Sequence, residues 1–379
     1  MSSYREAGKK LIASGCLSER YHEELFSEMP EVDGFIGVNE YEQFPELLKT
    51  MEQRRDWVSG CHTGRLERLP RNIPKNPYSA AVKIAEGCDN RCAYCIIPSI
   101  RGSFRSKRKE DVIQEAEELA KAGCKELILI AQDVTDYRID LYGKRVLPEL
   151  LRELCKVDGI HWIRLMYYYE DRISDDLSHV MASKPKICHY IDIPLQHCSD
   201  KILRRMRRRS TKASIMETIE KLRRAIPDIH IRTTFIVGFP GEEESDYDQL
   251  CDFVESVKLE RLGVFAYSQE ENTPAGEMKE QIPQDVKEER LDGIMRRQLE
   301  ISLQKNQQKL GKVLEVLVES QEEDRSYVGR TMYDAPEIDN AVIFTSEREL
   351  NPGDFVKVLV KDAFDYDLAG VEVTNEFTK

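Results

Sequence analysis

Ser79-Ala-Ala-Val-Lys-Ile-Ala-Glu86 runs directly into Gly87-Cys88-Asp-Asn-Arg-Cys92-Ala-Tyr-Cys95-Ile-Ile-Pro98, a short apolar strand followed by three cysteines within eight residues. Ten cysteines in 379 residues are too few for a disulfide scaffold, and the clustering of three points to a metal. Thiolates hold iron-sulfur clusters, but a 4Fe-4S cube needs four ligands and the spacing C-x-x-x-C-x-x-C supplies three. One iron would therefore keep a position open for a reactant, as catalytic metal sites do. A zinc site would require a fourth ligand, and the nearest candidates, Cys61 and His62, lie across a proline-marked segment. A ferredoxin run is spaced differently and ends in Cys-Pro, whereas Cys95 is followed by Ile96.

Downstream, apolar or β-branched runs alternate with amphipathic helical stretches, the pattern of βα units around a parallel sheet. Six strands are expected: Ser79 to Glu86, Glu126 to Gln132, Trp162 to Tyr168, His189 to Pro194, Ile229 to Val237 and Arg261 to Tyr267. Helices are expected between them, including Asp111 to Lys121 and Ser245 to Lys258, each with apolar residues on one face. Six strands close only part of an eight-stranded barrel and leave one side open.

Prolines at Pro70, Pro74 and Pro77 mark an extended linker before this core. The first seventy residues, with a helix expected from about Tyr4 to Ile12, a turn at Ser14 to Leu17 and a helix near Phe44 to Gln53, read as half of an α/β unit. After the core come one long charged helix, Asp285 to Leu310, and then strands at Leu314 to Val318, Ala341 to Phe344 and Phe355 to Val360, which suggest a small β-barrel. The expected fold class is α/β: a partial (β/α)6 barrel over residues 72–310, an incomplete α/β unit over 1–71 and an all-β barrel over 311–379.

Hydrophobic residues at 41% and a net charge of −13 describe a globular chain whose surface as a whole does not grip nucleic acid. Residues 311–379 hold 7 basic and 16 acidic side chains, a net charge of −9. A basic partner suits that tail. No stretch reaches the ~20 apolar residues that cross a bilayer, and the first ten residues lack a secretory signal, so a cytoplasmic protein without membrane contact is expected.

The cysteine triplet and its flanks, about Asn76 to Leu310, resemble the radical S-adenosylmethionine (SAM) superfamily, in which the open iron binds the amino and carboxylate groups of SAM. The resemblance implies Cys88, Cys92 and Cys95 as ligands of a SAM-binding 4Fe-4S cluster, with Tyr94 near the adenine or simply packed in the loop. Other candidate cofactor contacts follow predicted strands: Gln132 and Asp133 after the second, and Gly238, Pro240 and Gly241 in a Gly-Phe-Pro-Gly turn after the fifth, where backbone can approach a ligand. Gln132 and Asp133 could instead cap the next helix.

Ile12-Ala13-Ser14-Gly15-Cys16-Leu17, the core and the β tail together are similar to the methylthiotransferases of that superfamily, whose C-terminal barrel is of the TRAM type. That family places a second 4Fe-4S cluster on three amino-terminal cysteines, and Cys16 matches the last. No cysteine precedes Cys16, so the second ligand set is incomplete, and a chain missing part of its first domain is expected.

The segment Tyr327 to Asp339 resembles the branch that modifies an aspartate of small-subunit ribosomal protein S-twelve, which implies that protein or the ribosomal subunit as partner. An electron donor, a reductase or flavodoxin-type protein, is also implied. One SAM would methylate sulfur at the second cluster; another would yield the 5′-deoxyadenosyl radical that removes hydrogen from the aspartate β-carbon. Two other readings stay open. The tRNA branch modifies isopentenyl-adenosine and is disfavoured by the acidic tail; the other is an iron-sulfur fragment that binds SAM without completing methylthiolation.

Lys201 to Arg209 carries six basic residues and reads as a solvated face or as a contact to substrate or rRNA. Cys124, Cys155, Cys188, Cys198 and Cys251 read as small buried apolar residues, and His197 as a hydrogen-bonded structural histidine.

Overall fold

A computed structural model describes residues 8–38, 40–49, 55–58, 60, 66, 70–75, 77–323 and 325–373. Cys61 and His62 lie outside the described residues.

The amino-terminal unit is a parallel sheet of three short strands, β1 (Ile12–Ser14), β2 (Gly34–Ile36) and β3 (Arg55–Trp57), in the order β1-β2-β3, with a helix over Cys16–Glu28. This corrects the helix expected from Tyr4 to Ile12. Residues 8–11 are not helical, Ile12 opens β1, and residues 1–7 lie outside the described residues. Leu11-Ile12-Ala13 is an apolar run too short to show a period, and pairing with β2, where Phe35 and Ile36 are fully buried, decides its conformation. The expected turn at Ser14 to Leu17 is confined to Gly15 (φ 108), because the helix begins at Cys16.

The core has strands β4 (Ser79–Lys83), β7 (Glu126–Ile130), β8 (Trp162–Leu165), β9 (Tyr190–Asp192), β10 (His230–Val237) and β11 (Arg261–Ala266), with a hairpin of β5 (Ala85–Glu86) and β6 (Arg105–Ser106) beside the first. Parallel pairing gives β4-β7-β8 and β9-β10-β11. The two halves join through the parallel bridge Ile163–Ile187 and the bond from Tyr168 N to Asp192 O at 2.8 Å. The six expected strands are thus one curved arc, a partial (β/α)6 barrel. Alternation drives it: β10 buries every second residue, and Ile231, Phe235 and Val237 join the core with Val112, Leu119, Leu250 and Phe253 from the surrounding helices. Those helices, Lys109–Lys121 and Glu244–Val257 among them, fall where the periodicity places them.

The long helix runs from Gln284 to Gln307 into a closed five-stranded barrel of β12 (Val313–Glu323), β13 (Ser326–Thr331), β14 (Val342–Thr345), β15 (Phe355–Ala363) and β16 (Leu368–Glu372). Closure removes exposed strand edges and buries Val316, Val358 and Phe344. The tail barrel is fixed to the amino ends of the core strands. Arg164 Nη1 donates to Met332 O at 2.9 Å, Arg261 Nη2 meets Asp334 Oδ1 at 2.6 Å, and Tyr190 donates to Asp339 Oδ2 at 2.7 Å. Trp162, Tyr190, Leu317 and Ala335 close the seam as an apolar cluster. The opposite, carboxyl ends of the core strands are left free to build a site. No helix among the described residues is long and apolar enough to cross a membrane.

Candidate metal centre

The cysteine loop is shaped by its glycine and by two neighbouring strands. Gly87 has φ 81, and a Cβ there would lie 2.2 Å from Ser103 O, so a side chain is excluded on both counts. Its N–H donates to Gln132 Oε1 at 2.8 Å, and Cys88 N donates to Gly102 O at 3.1 Å. Gly87→Ala is expected to lower stability by about 1 to 3 kcal/mol through overpacking. A denaturant midpoint equal to that of the wild type would show that the hairpin can shift to accept the methyl group.

Asn90 anchors the middle of the loop. Its Nδ2 donates to Asp133 Oδ2 at 2.9 Å and lies 3.4 Å from Cys88 Sγ, while Arg172 Nη2 donates to its Oδ1 at 2.6 Å. Arg172 also bonds Asp133 Oδ2 at 2.7 Å and contacts Asp136. Burial pushes the Asp133 carboxyl up and neighbouring Asp136 adds to this, against the pull of Thr135, Asn90 and Arg172. The far side of the loop is held by backbone: Ala93 N donates to Met206 O at 3.0 Å and Ala275 N to Ala93 O at 2.9 Å. The helix Ile97–Arg101, with proline in its first turn, ends the loop.

So held, Cys88, Cys92 and Cys95 line one cavity of about 390 Å³ at the carboxyl ends of the strands. Tyr94, Gln132, Tyr167, Tyr169, Gln196 and Arg208 line it with them. Tyr167 (φ 67) and Gln196 (φ 70) are held in the left-handed region, a cost that folds tend to concentrate at functional sites. Gln196 Oε1 and Arg208 Nε are buried without a hydrogen-bond partner among the described residues, and both residues line the cavity. Arg208 itself is 6% exposed, with Nη2 on Pro194 O at 2.9 Å and against Glu170. Tyr169 places its hydroxyl 3.2 Å from Cys92 Sγ. Burial pushes Cys88 up to about 11 and raises Cys95, so these thiols stay protonated at neutral pH until a metal displaces the protons.

Three free thiols suit a cluster that keeps one iron open, and the unpaired Gln196 and Arg208 atoms suit a ligand carrying both an amino and a carboxylate group.

The expected residues divide. Tyr94 and Gln132 reach the cavity, and Tyr94 also packs with Ala93, Met206, Phe239 and Tyr267, so both of its readings have a physical basis. Asp133 stands behind the cavity as the anchor of Asn90 and Arg172, and caps Thr135 N at 3.0 Å. Gly238, Pro240 and Gly241 are not among the lining residues. A Cβ at Gly238 (φ 69) would fall 2.3 Å from Lys287 Cγ and one at Gly241 (φ 80) 2.7 Å from Arg205 Cζ, while Pro240 O accepts from Arg205 Nε at 2.9 Å. This turn admits two side chains and seats Phe239 under the cysteine loop.

Cys16 sits at the start of its helix, where Arg101 Nη2 donates to its Sγ at 2.9 Å and Arg101 Nη1 bonds Glu86 Oε1 at 3.0 Å. It is thus tied to the strand before the triplet without entering the triplet's cavity. Arg20 Nη1 on Glu270 Oε1 at 2.7 Å holds the same helix over the loop that follows β11.

The basic run is not one solvated face: Arg208 is buried, Lys201 pairs with Asp246 at 2.9 Å and Arg205 with Glu280 at 3.1 Å, leaving Arg204, Arg207 and Arg209 exposed. Cys124, Cys188, Cys198 and Cys251 are buried and Cys155 half-buried; His197 is buried and accepts from Ser199 N at 2.9 Å. Asn90, Tyr167, Tyr169, Arg172 and Gln196 were not singled out by sequence. The tyrosine run Tyr167 to Tyr169, after the third predicted strand, was the available clue.

Comparison with known proteins agrees with this architecture. The Radical SAM superfamily profile matches residues 82–254 and the TRAM domain profile residues 310–373. A cobalamin-dependent S-adenosylmethionine radical enzyme, OxsB, shares the fold at 13% identity with a TM-score of 0.50, over 78% of this chain and 45% of that one. The ribosomal protein uS12 methylthiotransferase RimO of Clostridioides difficile is 49% identical over 364 residues, 96% of this chain and 82% of that protein. The protein of the same name from Pelotomaculum thermopropionicum is 48% identical over 372 residues, 96% of this chain and 83% of its own. With nearly the whole chain aligned to these relatives and both domains matched, the protein belongs to the RimO family of radical SAM methylthiotransferases.

Proposed function

We propose that this chain is an aspartate methylthiotransferase acting on ribosomal protein uS12, with Cys88, Cys92 and Cys95 as ligands of its SAM-binding 4Fe-4S cluster. The observation that carries the site is the meeting of three thiols with the unpaired Gln196 and Arg208 atoms in one cavity. Held by Cys88, Cys92 and Cys95, the cluster would supply the one-electron reduction of SAM on which hydrogen removal from the aspartate β-carbon depends. The chain's own residues bind and shield. Arg208 offers a guanidinium edge to the SAM carboxylate, Gln196 an oxygen to an N–H of its amino group, and Tyr94 and Tyr167 close the walls. The tail's net charge of −9 favours a basic ribosomal protein over tRNA. A cytoplasmic reaction with a reductase or flavodoxin-type electron donor goes with that reading.

We assign Cys16 to a second cluster, supported by its position at a helix start beside Arg101. The units 1–71, 72–310 and 311–379 divide the chain accordingly. The test is anaerobic reconstitution with iron and sulfide, then incubation with SAM, a reductant and uS12. The expected product is uS12 whose aspartate carries a methylthio group in place of hydrogen. A second reading is SAM cleavage without methylthiolation. Formation of 5′-deoxyadenosine with unmodified uS12 would select that reading; neither product would reject both.

Tyr169 tests the same site by another measurement. Beside a metal-bound thiolate its phenol can only donate, and donation to a cluster sulfur stabilises the more negative, reduced state. Tyr169→Phe is expected to keep its iron and shift to a lower midpoint potential in a titration followed by electron paramagnetic resonance. An unchanged potential would remove this hydrogen bond from the account.

A further inference from the structure

A second cavity, of about 330 Å³, lies where the long helix meets β10 and the tail barrel, and it shares no residue with the cysteine cavity. Lys309 lines it, 8% exposed, and its Nζ is buried with no hydrogen-bond partner among the described residues. A buried ammonium without a counter-ion is costly, so it either pairs or loses its proton.

The carboxylates around it are already engaged. Asp228 receives His189 Nδ1 on one oxygen and the Tyr333 hydroxyl on the other, each at 2.8 Å. Glu260 binds Lys305 at 2.6 Å and accepts from Ile231 N at 3.1 Å; Asp334 binds Arg261 at 2.6 Å and Thr331 at 2.6 Å. Lys312, exposed on the same cavity, forms no ion pair among the described residues. Burial holds His230 down to about 3, with Lys309 adding to the effect, so the ring that stacks on Tyr333 is neutral. Burial lowers Lys309 to about 8 against the opposing pull of Asp334, which leaves it charged at neutral pH.

We propose that this cavity binds a phosphate group, with Lys309 as the buried cation and Lys312 at the exposed rim. Two ammonium groups present several donors to a compact anion with several acceptor oxygens, a use of lysine as a point charge that suits phosphate. The group is either free phosphate or a phosphate of an RNA backbone. Lysines at the end of a helix also complement its dipole, and the experiment separates that explanation from a binding site.

The full chain would be melted in inorganic phosphate and in chloride at equal ionic strength, and titrated with a short single-stranded RNA lacking a terminal phosphate. The expected result is a saturable rise in melting temperature with phosphate, absent with chloride, lost in Lys309→Met and weakened in Lys312→Gln. RNA binding with the same dependence on Lys309, without an effect of free phosphate, supports the backbone source. The proposal is overturned by a wild type indifferent to both, or by binding that survives in both variants. Lys309→Met that melts lower than wild type in every buffer, with wild type indifferent to phosphate, would identify Lys309 as a helix-end residue only.

Discussion

Cys92→Ala is expected to abolish 5′-deoxyadenosine formation completely. The substitution removes one small sulfur from a residue 9% exposed, a change worth about 1 kcal/mol of packing, so the fold survives while the ligand set does not. With Cys88 and Cys95 alone, a cube would have two protein thiolates and could not be fixed with one iron facing SAM. Asn90, Asp133 and Arg172 hold the Cys88 side of the loop, and Ala93 is pinned by Met206 and Ala275, so neither remaining cysteine of the loop can swing across to replace it. The measurement is iron counting and SAM cleavage after anaerobic reconstitution. About four irons per wild-type chain means one cluster and about eight means two. Cys92→Ala that retains iron and still cleaves SAM, or wild type that takes up zinc instead, would overturn the assignment of the triplet.

The barrel was legible because its information is local. Each of β4, β7, β8, β10 and β11 is a run of apolar or alternating residues long enough to read, and the cysteine spacing identifies its chemistry without any tertiary contact. The amino-terminal sheet was not legible, since strands of three residues show no period and the pairing partner decides. The support of the site was hidden for a different reason. Arg172 reaches Asn90 across 82 positions and Tyr169 reaches Cys92 across 77, distances over which sequence pattern carries no information. Arg208 was visible only as one cation in a basic run, and burial beside Glu170 separates it from its exposed neighbours. The Gly-Phe-Pro-Gly turn has the same local signature whether backbone yields to a ligand or to Lys287 and Arg205. Most instructive is Tyr327 to Asp339, the stretch that carries the resemblance to the branch. Asp334 and Asp339 lock the tail to the amino ends of the core strands, the end remote from the thiols, so a family mark need not touch substrate.

Glu126→Ala is expected to cost about 3 to 5 kcal/mol of stability, because it strands two buried guanidinium groups. Glu126 is fully buried at the first position of β7. Its Oε1 takes Arg164 Nε at 3.0 Å and Arg330 Nη1 at 2.9 Å, Oε2 takes Ser79 Oγ at 2.9 Å, and Arg330 Nη2 closes the pair. One carboxylate thus ties β4, β7 and β8 to β13 of the tail. Burial raises its pKa, but Arg164 and Arg330 outweigh that and hold it below the usual range. A folded-state pKa below the unfolded one gives stability that is present above about pH 4.3 and lost as pH falls through the folded value. Asp334 is likewise held low: burial works upward, but Arg261 and Lys309 more than reverse it, so the same seam weakens in acid. Denaturant melts at neutral pH and near pH 3 measure both effects. The variant's penalty should shrink as pH falls through the folded value of the wild-type carboxylate, while Arg164→Met with Arg330→Met in the Glu126→Leu background should recover stability. A Glu126→Ala midpoint within about 0.5 kcal/mol of wild type at neutral pH would mean that water reaches the seam and the triad is solvated, and the rigid attachment of the tail to the core would then rest on the Trp162 and Leu317 cluster with the Arg261–Asp334 and Tyr190–Asp339 contacts.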